Sequence, residues 1–410
     1  MATGTPKAIG PWPIGMNNRA PDYALPTNQD GNKVALRNAV NVNIDNRGYL
    51  SRRDGFTRVT PAVGAHSGYS CAGGTFFVDG HTLKLLNDDD TASDVCSVHG
   101  PVAYEYFDGV LYFSDGIMTR KLLANGTLTR WGYDVPSAPL MGSSYGVLPK
   151  GTYLAALTYL TPDGIEHGAS ELSSITVTTS SSIQFIGLPQ RGDATLRLYL
   201  STVNGKTLYH VGDTTAGSFT VYTDPGSGAA LDKQFIDAPP AGSIIRQYKG
   251  RMYVADGKVL WYSEPFAFSH FRLANNYIQF EHDIAVIEAV DAGVWIATTD
   301  KTFLLSGETR ETPVIAEQVS YGAVPGTSLI DRATGNAMWY STRGAVTGRK
   351  DGQLVNMQED NVAADTGTSG AAMLREHNGI KQFVASVQNS TVSPLAASSF
   401  IEMEVIRKAG

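Results

Sequence analysis

One pattern recurs through much of this 410-residue chain: a short alternating stretch, an Asp-Gly or Asn-Gly turn, then a second short stretch carrying an aromatic residue. It is set out first between Asn38 and Val59. Val40, Val42 and Ile44 alternate with Asn41, Asn43 and Asp45, the period of two of a strand with one buried face. Asn46-Arg47-Gly48 then turns the chain, because glycine takes positive φ without steric cost. Tyr49 to Arg53 reads as the return strand, Asp54-Gly55 as a second turn and Phe56 to Val59 as a third strand. A chain punctuated this way is expected to be all-β, built from antiparallel meanders.

The composition agrees. Forty-three glycines and 19 tyrosines suit turns and strands, and 42 % hydrophobic residues suffice for sizeable cores spread over two or three domains. A net charge of −7 argues against wrapping nucleic acid, which needs clustered Lys and Arg to displace counterions. It is compatible with a passage that lets DNA through without holding it. Two cysteines, Cys71 and Cys96, make no disulfide framework; they are expected as reduced, partly buried thiols, with a bridge between adjacent strands as the alternative. No run of about 18 apolar residues suggests a membrane span. Met1-Ala-Thr-Gly-Thr-Pro-Lys7 lacks a basic-then-apolar signal, so a soluble product of the cytoplasm is expected.

Taken in order, residues 1–37 form an extended arm, since Pro6, Pro11, Pro13, Pro21 and Pro26 leave no room for a helix. Trp12, Ile14 and Met16 are its apolar anchors, expected to dock on a partner or neighbouring subunit. Residues 38–135 continue the meander grammar. Val102–Phe107, Val110–Phe113, Ile117–Leu123 and Thr127–Tyr133, joined by glycine turns, read as one four-stranded blade. Pro136-Ser-Ala-Pro139 is a linker, and residues 140–238 change character: six strands, with a seventh expected near Gln234 to Ile236, fit an immunoglobulin or fibronectin type III sandwich. Tyr153, Tyr159, Leu188-Pro189 and Leu198-Tyr199 resemble fibronectin type III modules. After Asp237-Ala-Pro-Pro-Ala-Gly242, residues 243–410 return to the first grammar. The strand Ser399 to Arg407 is expected to close the ring. The expected architecture is therefore a β-propeller of about six blades interrupted by a sandwich.

The opening Asn38-Ala-Val-Asn-Val through Gly48-Tyr-Leu-Ser-Arg-Arg-Asp-Gly-Phe56 resembles tail nozzle, tail tubular or packaged-DNA-stabilisation proteins of double-stranded DNA bacteriophages. So do Gly250-Arg-Met-Tyr-Val-Ala-Asp-Gly257, Leu260-Trp-Tyr-Ser-Glu-Pro265, Gly293 to Gly307 and Trp339-Tyr-Ser-Thr-Arg-Gly344. The resemblance implies a structural, non-catalytic virion protein, assembled in the bacterial cytoplasm into a ring of the tail, usually a hexamer. That ring would line and close the DNA channel below the portal and adaptor, contact tail fibre or needle proteins, and retain packaged double-stranded DNA without reading its sequence. Asp88, Asp89, Asp90, Glu359, Asp360 and Asp365 are the acidic loop residues singled out as candidates to reach the channel. The alternative is a docking module that binds a protein or glycan through the propeller or the sandwich.

No catalytic, metal or cofactor site is expected. Asp88-Asp-Asp90 lacks the alternating acids, glycine and distal Glu of a calcium loop. Many of the aspartates sit in Asp-Gly turns, where turn geometry explains them. Gly205-Lys-Thr207 has Leu200 where a phosphate-binding loop needs glycine, and Gly142-Ser-Ser-Tyr-Gly146 is followed by Pro149 rather than a helix. Arg191-Gly192-Asp193 sits in an expected turn. Four of the five tryptophans fall in expected strands, where core packing accounts for them.

Overall fold

The computed structural model describes residues 10–45, 47–53, 55, 57–307, 314–364, 366–377, 379–388 and 401–405. The chain is all-β and divides into two compact units, Ala62–Gln279 and a unit made of residues 1–61 with 280–410.

Within Ala62–Gln279, two four-stranded antiparallel meanders come first: Ala65–Cys71, Gly74–Asp79, Thr82–Leu86 and Ala92–Ser97, then Ala103–Phe107, Val110–Ser114, Thr119–Leu122 and Leu128–Arg130. The Asp108-Gly109 turn works as the sequence implies, whereas Asp54 of the expected Asp54-Gly55 turn lies outside the described residues. Asp108 and Gly109 have φ of 49° and 77°, the paired positive values that match the twist of a two-residue hairpin. The two meanders share a core of Phe76, Val78, Leu83, Tyr104, Leu111 and Phe113. The opposite face of the second meander buries Tyr112 and Trp131 against Ile245, Met252, Val254 and Phe271 of the sheet that runs from Ile244 to Gln279.

Between them lies the sandwich. One sheet has the order Leu140–Leu148, Ser181–Ile186, Ser218–Val221. The other has the order Ser173–Val177, Gly151–Leu160, Thr195–Ser201, Leu208–Thr214. Tyr153, Leu157, Leu196, Leu198 and Leu200 of the second sheet meet Leu148, Ile183, Phe185 and Val221 of the first in one core. Alternation along each strand is what supplies those inward residues. The seventh strand is not at Gln234 to Ile236. It is Leu140–Leu148, whose Gly142, Ser143, Ser144 and Gly146 carry little strand propensity.

In the other unit, Ile284–Val290, Gly293–Thr298, Thr302–Ser306 and Val314–Val319 form one meander, and Leu329–Asp331, Asn336–Ser341, Gly344–Gly348 and Leu354–Asn356 the next. Trp295 and Trp339, both fully buried, bring their rings to 5.9 Å across the core between them. A third sheet comprises Ser369–His377, Ile380–Gln388 and Ile401–Val405. Val42–Ile44 pairs with Leu50–Arg52 as a plain hairpin, and residues 57–59 form no third strand.

These arrangements correct the expected propeller. Among the described residues every sheet is open, and none closes or curls into a propeller. The C-terminal strand Ile401–Val405 pairs with its predecessor Ile380–Gln388 rather than with a strand from the N-terminal end. The physical reason is that turn and alternation signals specify hairpins, and a hairpin serves a blade or a sandwich equally well.

Candidate functional site

The arm residues singled out from sequence are engaged by their own chain. The Trp12 amide donates to the Gly48 carbonyl at 2.8 Å, and the Ile14 amide to Val34 at 3.2 Å. Gly48 has φ of 85°, and a Cβ there would lie 2.6 Å from the Trp12 and Pro13 backbone, so only glycine permits the approach. Gly15 and Met16 pair in parallel with Ala35 and Leu36. Asn17, Asn18 and Arg19 then grip residues 361–363. The Asn18 amide donates to Asn361 O at 3.0 Å, Asn18 Nδ2 to Ala363 O at 3.2 Å, and the Ala363 amide to Asn18 Oδ1 at 2.6 Å. Arg19 Nε donates to Val362 O at 3.1 Å, and Asn17 Nδ2 to Asn361 Oδ1 at 3.2 Å.

The acidic candidates separate. Asp88, Asp89 and Asp90 form the tip between Thr82–Leu86 and Ala92–Ser97, where Thr91 donates to Asp89 through both its amide and its hydroxyl. Those bonds lower the Asp89 pKa. Glu359 and Asp360 occupy the turn after Leu354–Asn356, the turn that the arm holds. Asp365 lies outside the described residues.

Glu359 borders a pocket of about 380 Å³ lined by Val319, Ser320, Tyr321, Arg343, Leu354 and Asn356. Its walls are placed by backbone bonds. Arg343 sits at the tip of the hairpin between Asn336–Ser341 and Gly344–Gly348, where Ser341 Oγ accepts from the Arg343 amide at 3.0 Å and donates to Gly344 O at 2.7 Å. The Thr342 amide ties that tip to Gly322 O at 3.0 Å, beside Tyr321. Asn356 Nδ2 donates to Arg343 O at 3.1 Å, and Asn356 Oδ1 accepts from the Gln358 amide at 2.9 Å, which starts the turn carrying Glu359.

The Arg343 guanidinium lies 5.1 Å from the centre of the Tyr321 ring, in cation–π range. Its Nη1 is 3.5 Å from Glu359 Oε1, with the two side chains 53 % and 48 % exposed. Among the described residues the guanidinium makes no hydrogen bond closer than that contact. Tyr321 is buried, and burial pushes its pKa up while the Asn356 side chain pulls it back. Glu317 nearby is already occupied, accepting from Ser320 Oγ at 3.0 Å and pairing with Lys301 at 3.4 Å.

A planar guanidinium laid on an aromatic ring, with its donors open to a pocket, is arranged to take a carboxylate in the two-point mode. Val319 and Leu354 add an apolar wall suited to an aliphatic stem. Among the described residues no three His, Cys, Asp or Glu side chains converge as metal ligands. Sequence reasoning selected Glu359 by its charge but missed Arg343 and Tyr321, which come together only when two strand ends meet; a lone Arg beside glycine in a turn carries no signal of its own.

The remaining sequence features resolve into structure. Gly142-Ser-Ser-Tyr-Gly146 is part of an extended strand, and Gly205 closes a turn on Thr202 O at 2.9 Å with no helix after it. Arg191 packs its guanidinium 4.8 Å from the Tyr133 ring and pairs with Asp193 at 3.1 Å, so that tripeptide is folded into the sandwich. Cys71 and Cys96 form no disulfide, and the Cys71 thiol donates to Gly74 O at 3.5 Å.

No known protein-family profile matches the chain, and no curated protein matches it. Among solved structures it is similar to the AfRom2 CNH domain, with 6 % identity and a TM-score of 0.29 over 84 % of this chain and 94 % of that one. It is similar to BBS1N in complex with ARL6DN, at 10 % identity and a TM-score of 0.32 over 84 % and 92 %. It is also similar to the extracellular domain of the putative one component system BT4673 from B. thetaiotaomicron, at 10 % identity and 0.28 over 93 % and 64 %. At these scores the likeness does not extend to a shared function. Neither a family profile nor a curated protein supports the expected membership of the phage nozzle family; it is not upheld, and the descriptions virion, tail and nozzle fall with it.

Proposed function

We propose that the chain is a docking protein that receives a carboxylate of a partner polypeptide, on an aliphatic stem, in the Tyr321–Arg343 pocket. The observation that carries this is the Arg343 guanidinium, over the Tyr321 ring at 5.1 Å from its centre and, among the described residues, in no polar side-chain contact closer than 3.5 Å, to Glu359. Stacking pre-organises the guanidinium plane, so little side-chain freedom is lost when a carboxylate arrives. Glu359 occupies the guanidinium in the free protein and yields it to the incoming group. The Val319 and Leu354 wall favours a leucine-like stem over a polyhydroxylated sugar.

Titration calorimetry with a short peptide ending in a free leucine carboxylate tests the reading. The peptide binds the unmodified chain, and its C-terminal amide binds about tenfold or more weakly, the equivalent of about 1.4 kcal/mol. Arg343→Ala and Arg343→Lys both lose that difference, the latter because an ammonium offers no planar fork. Equal binding of acid and amide overturns the reading. Preferential binding of N-acetylneuraminate over the peptide would replace the polypeptide by an acidic glycan.

A further inference from the structure

The three-stranded sheet of the sandwich ends on Leu140–Leu148, which pairs with Ser181–Ile186 on one side and with no strand among the described residues on the other. Natural proteins blunt such edges with charges, prolines or bulges, because open backbone groups invite another strand. This strand reads Leu-Met-Gly-Ser-Ser-Tyr-Gly-Val-Leu and carries no charge, with Pro139 and Pro149 just outside it. Leu140, Tyr145 and Val147 are 66 %, 95 % and 74 % exposed. Beside Leu140 on the outer face stands its cross-strand partner Ile186, 40 % exposed.

The strand is self-complementary about Ser144. Laid antiparallel on a copy of itself with the two Ser144 residues opposite, Gly142 meets Gly146 and Ser143 meets Tyr145, while the apolar pair Leu140 and Met141 faces Val147 and Leu148. A one-residue slip destroys the match, setting Met141 against Gly146 and Gly142 against Tyr145. A bulge, where Tyr145 and Leu148 both face Ser181, takes Leu148 into the core and leaves Val147 turned outward. Regular pairing therefore runs over residues 142–146, and at each flank the exposed Val147 of one copy comes against the exposed Leu140 of the other.

We propose that Leu140–Leu148 is a self-association edge, through which two copies of this chain pair antiparallel about a two-fold axis at Ser144 and join their three-stranded sheets into one. The occupant is a second copy because the strand offers no charge to select a different partner, and its own sequence supplies the matching face. Such an interface is isologous and closes at two copies, with main-chain bonds giving affinity as in strand addition. The two Tyr145 rings fall on diagonal positions across the axis, within reach of one another.

Sedimentation equilibrium of the full chain, from micromolar to submillimolar concentration, tests this. The unmodified chain is expected to dimerise. Ser144 is exposed and would face itself across the axis, so Ser144→Lys and Ser144→Glu each set like charges opposite one another and weaken the dimer about tenfold or more. An equal mixture of the two variants restores it as a heterodimer, which also shows that both variants fold. Independently of any variant, amide exchange of residues 142–146 slows as the concentration of the unmodified chain rises. A chain that stays monomeric with unchanged exchange, or a dimer indifferent to Ser144→Lys, overturns the proposal.

Discussion

At the scale of single residues, Glu359 and Arg343 divide one role between them. Glu359 holds the guanidinium loosely, at 3.5 Å and with half of each side chain exposed, so the pair contributes little to stability. It does compete with any external carboxylate. Glu359→Gln is therefore expected to leave thermal stability within about 0.5 kcal/mol and to raise affinity for the leucine carboxylate several-fold in calorimetry; unchanged or weaker binding would contradict the competition. His167 shows the opposite economy. It is 1 % exposed, its Nε2 has no hydrogen-bond partner among the described residues, and the Tyr133 and His270 rings stand at 5.1 and 6.5 Å. Burial, His270 and the Lys121 cation push its pKa down from 6.5 to about 4, against the weaker pull of Asp163. His270, half-buried and donating through Nε2 to Glu166 O at 2.7 Å, is also lowered, chiefly by desolvation. The unfolded chain thus binds protons that the folded chain refuses. Stability is full above about pH 6.5 and falls as pH drops from there towards 4, by up to about 3 kcal/mol for His167. Urea denaturation across that window checks this, and His167→Leu flattens the slope.

At the scale of elements, the arm and the turn after Leu354–Asn356 behave as one piece. Sequence reasoning found both, by proline density and by acidity, but set them apart: one was expected to reach a neighbour and the other an axis. Asn17 to Arg19 instead clamp Asn361 to Ala363, a pairing across most of the chain that no local pattern reports. Asn18→Ala removes two of these bonds and is expected to cost about 1–2 kcal/mol and to hasten amide exchange over residues 357–363. Unaltered exchange there would show that the arm does not hold the turn. Hairpins were the most legible elements, because Asp108-Gly109 and its like state a backbone requirement in two residues. Leu140–Leu148 was missed because serine and glycine mask a strand whose inward residues are few. The strand expected at Phe56 to Val59 is absent over the described residues 57–59, and Phe56 lies outside them.

At the scale of the whole molecule, the all-β class was legible in the sequence, and the two packed sheets of residues 140–221 lie within the sandwich expected over 140–238, whereas the assembly of the other sheets was not legible. Period-two alternation says which face of a sheet is buried, and it is silent on what buries it. In this chain each meander finds its neighbour through large side chains such as Trp131, Trp295 and Trp339, within two units and without a propeller. The proposed docking role rests on the pocket beside Arg343, where a charged group is positioned yet left open. The most direct test is nitrogen-15 NMR of arginine side chains during titration with the leucine-carboxylate peptide. The account predicts that the Arg343 Nε–H resonance shifts and saturates with the free acid and stays in place with the amide. An Arg343 resonance unmoved by the acid, or moved equally by both, would contradict it.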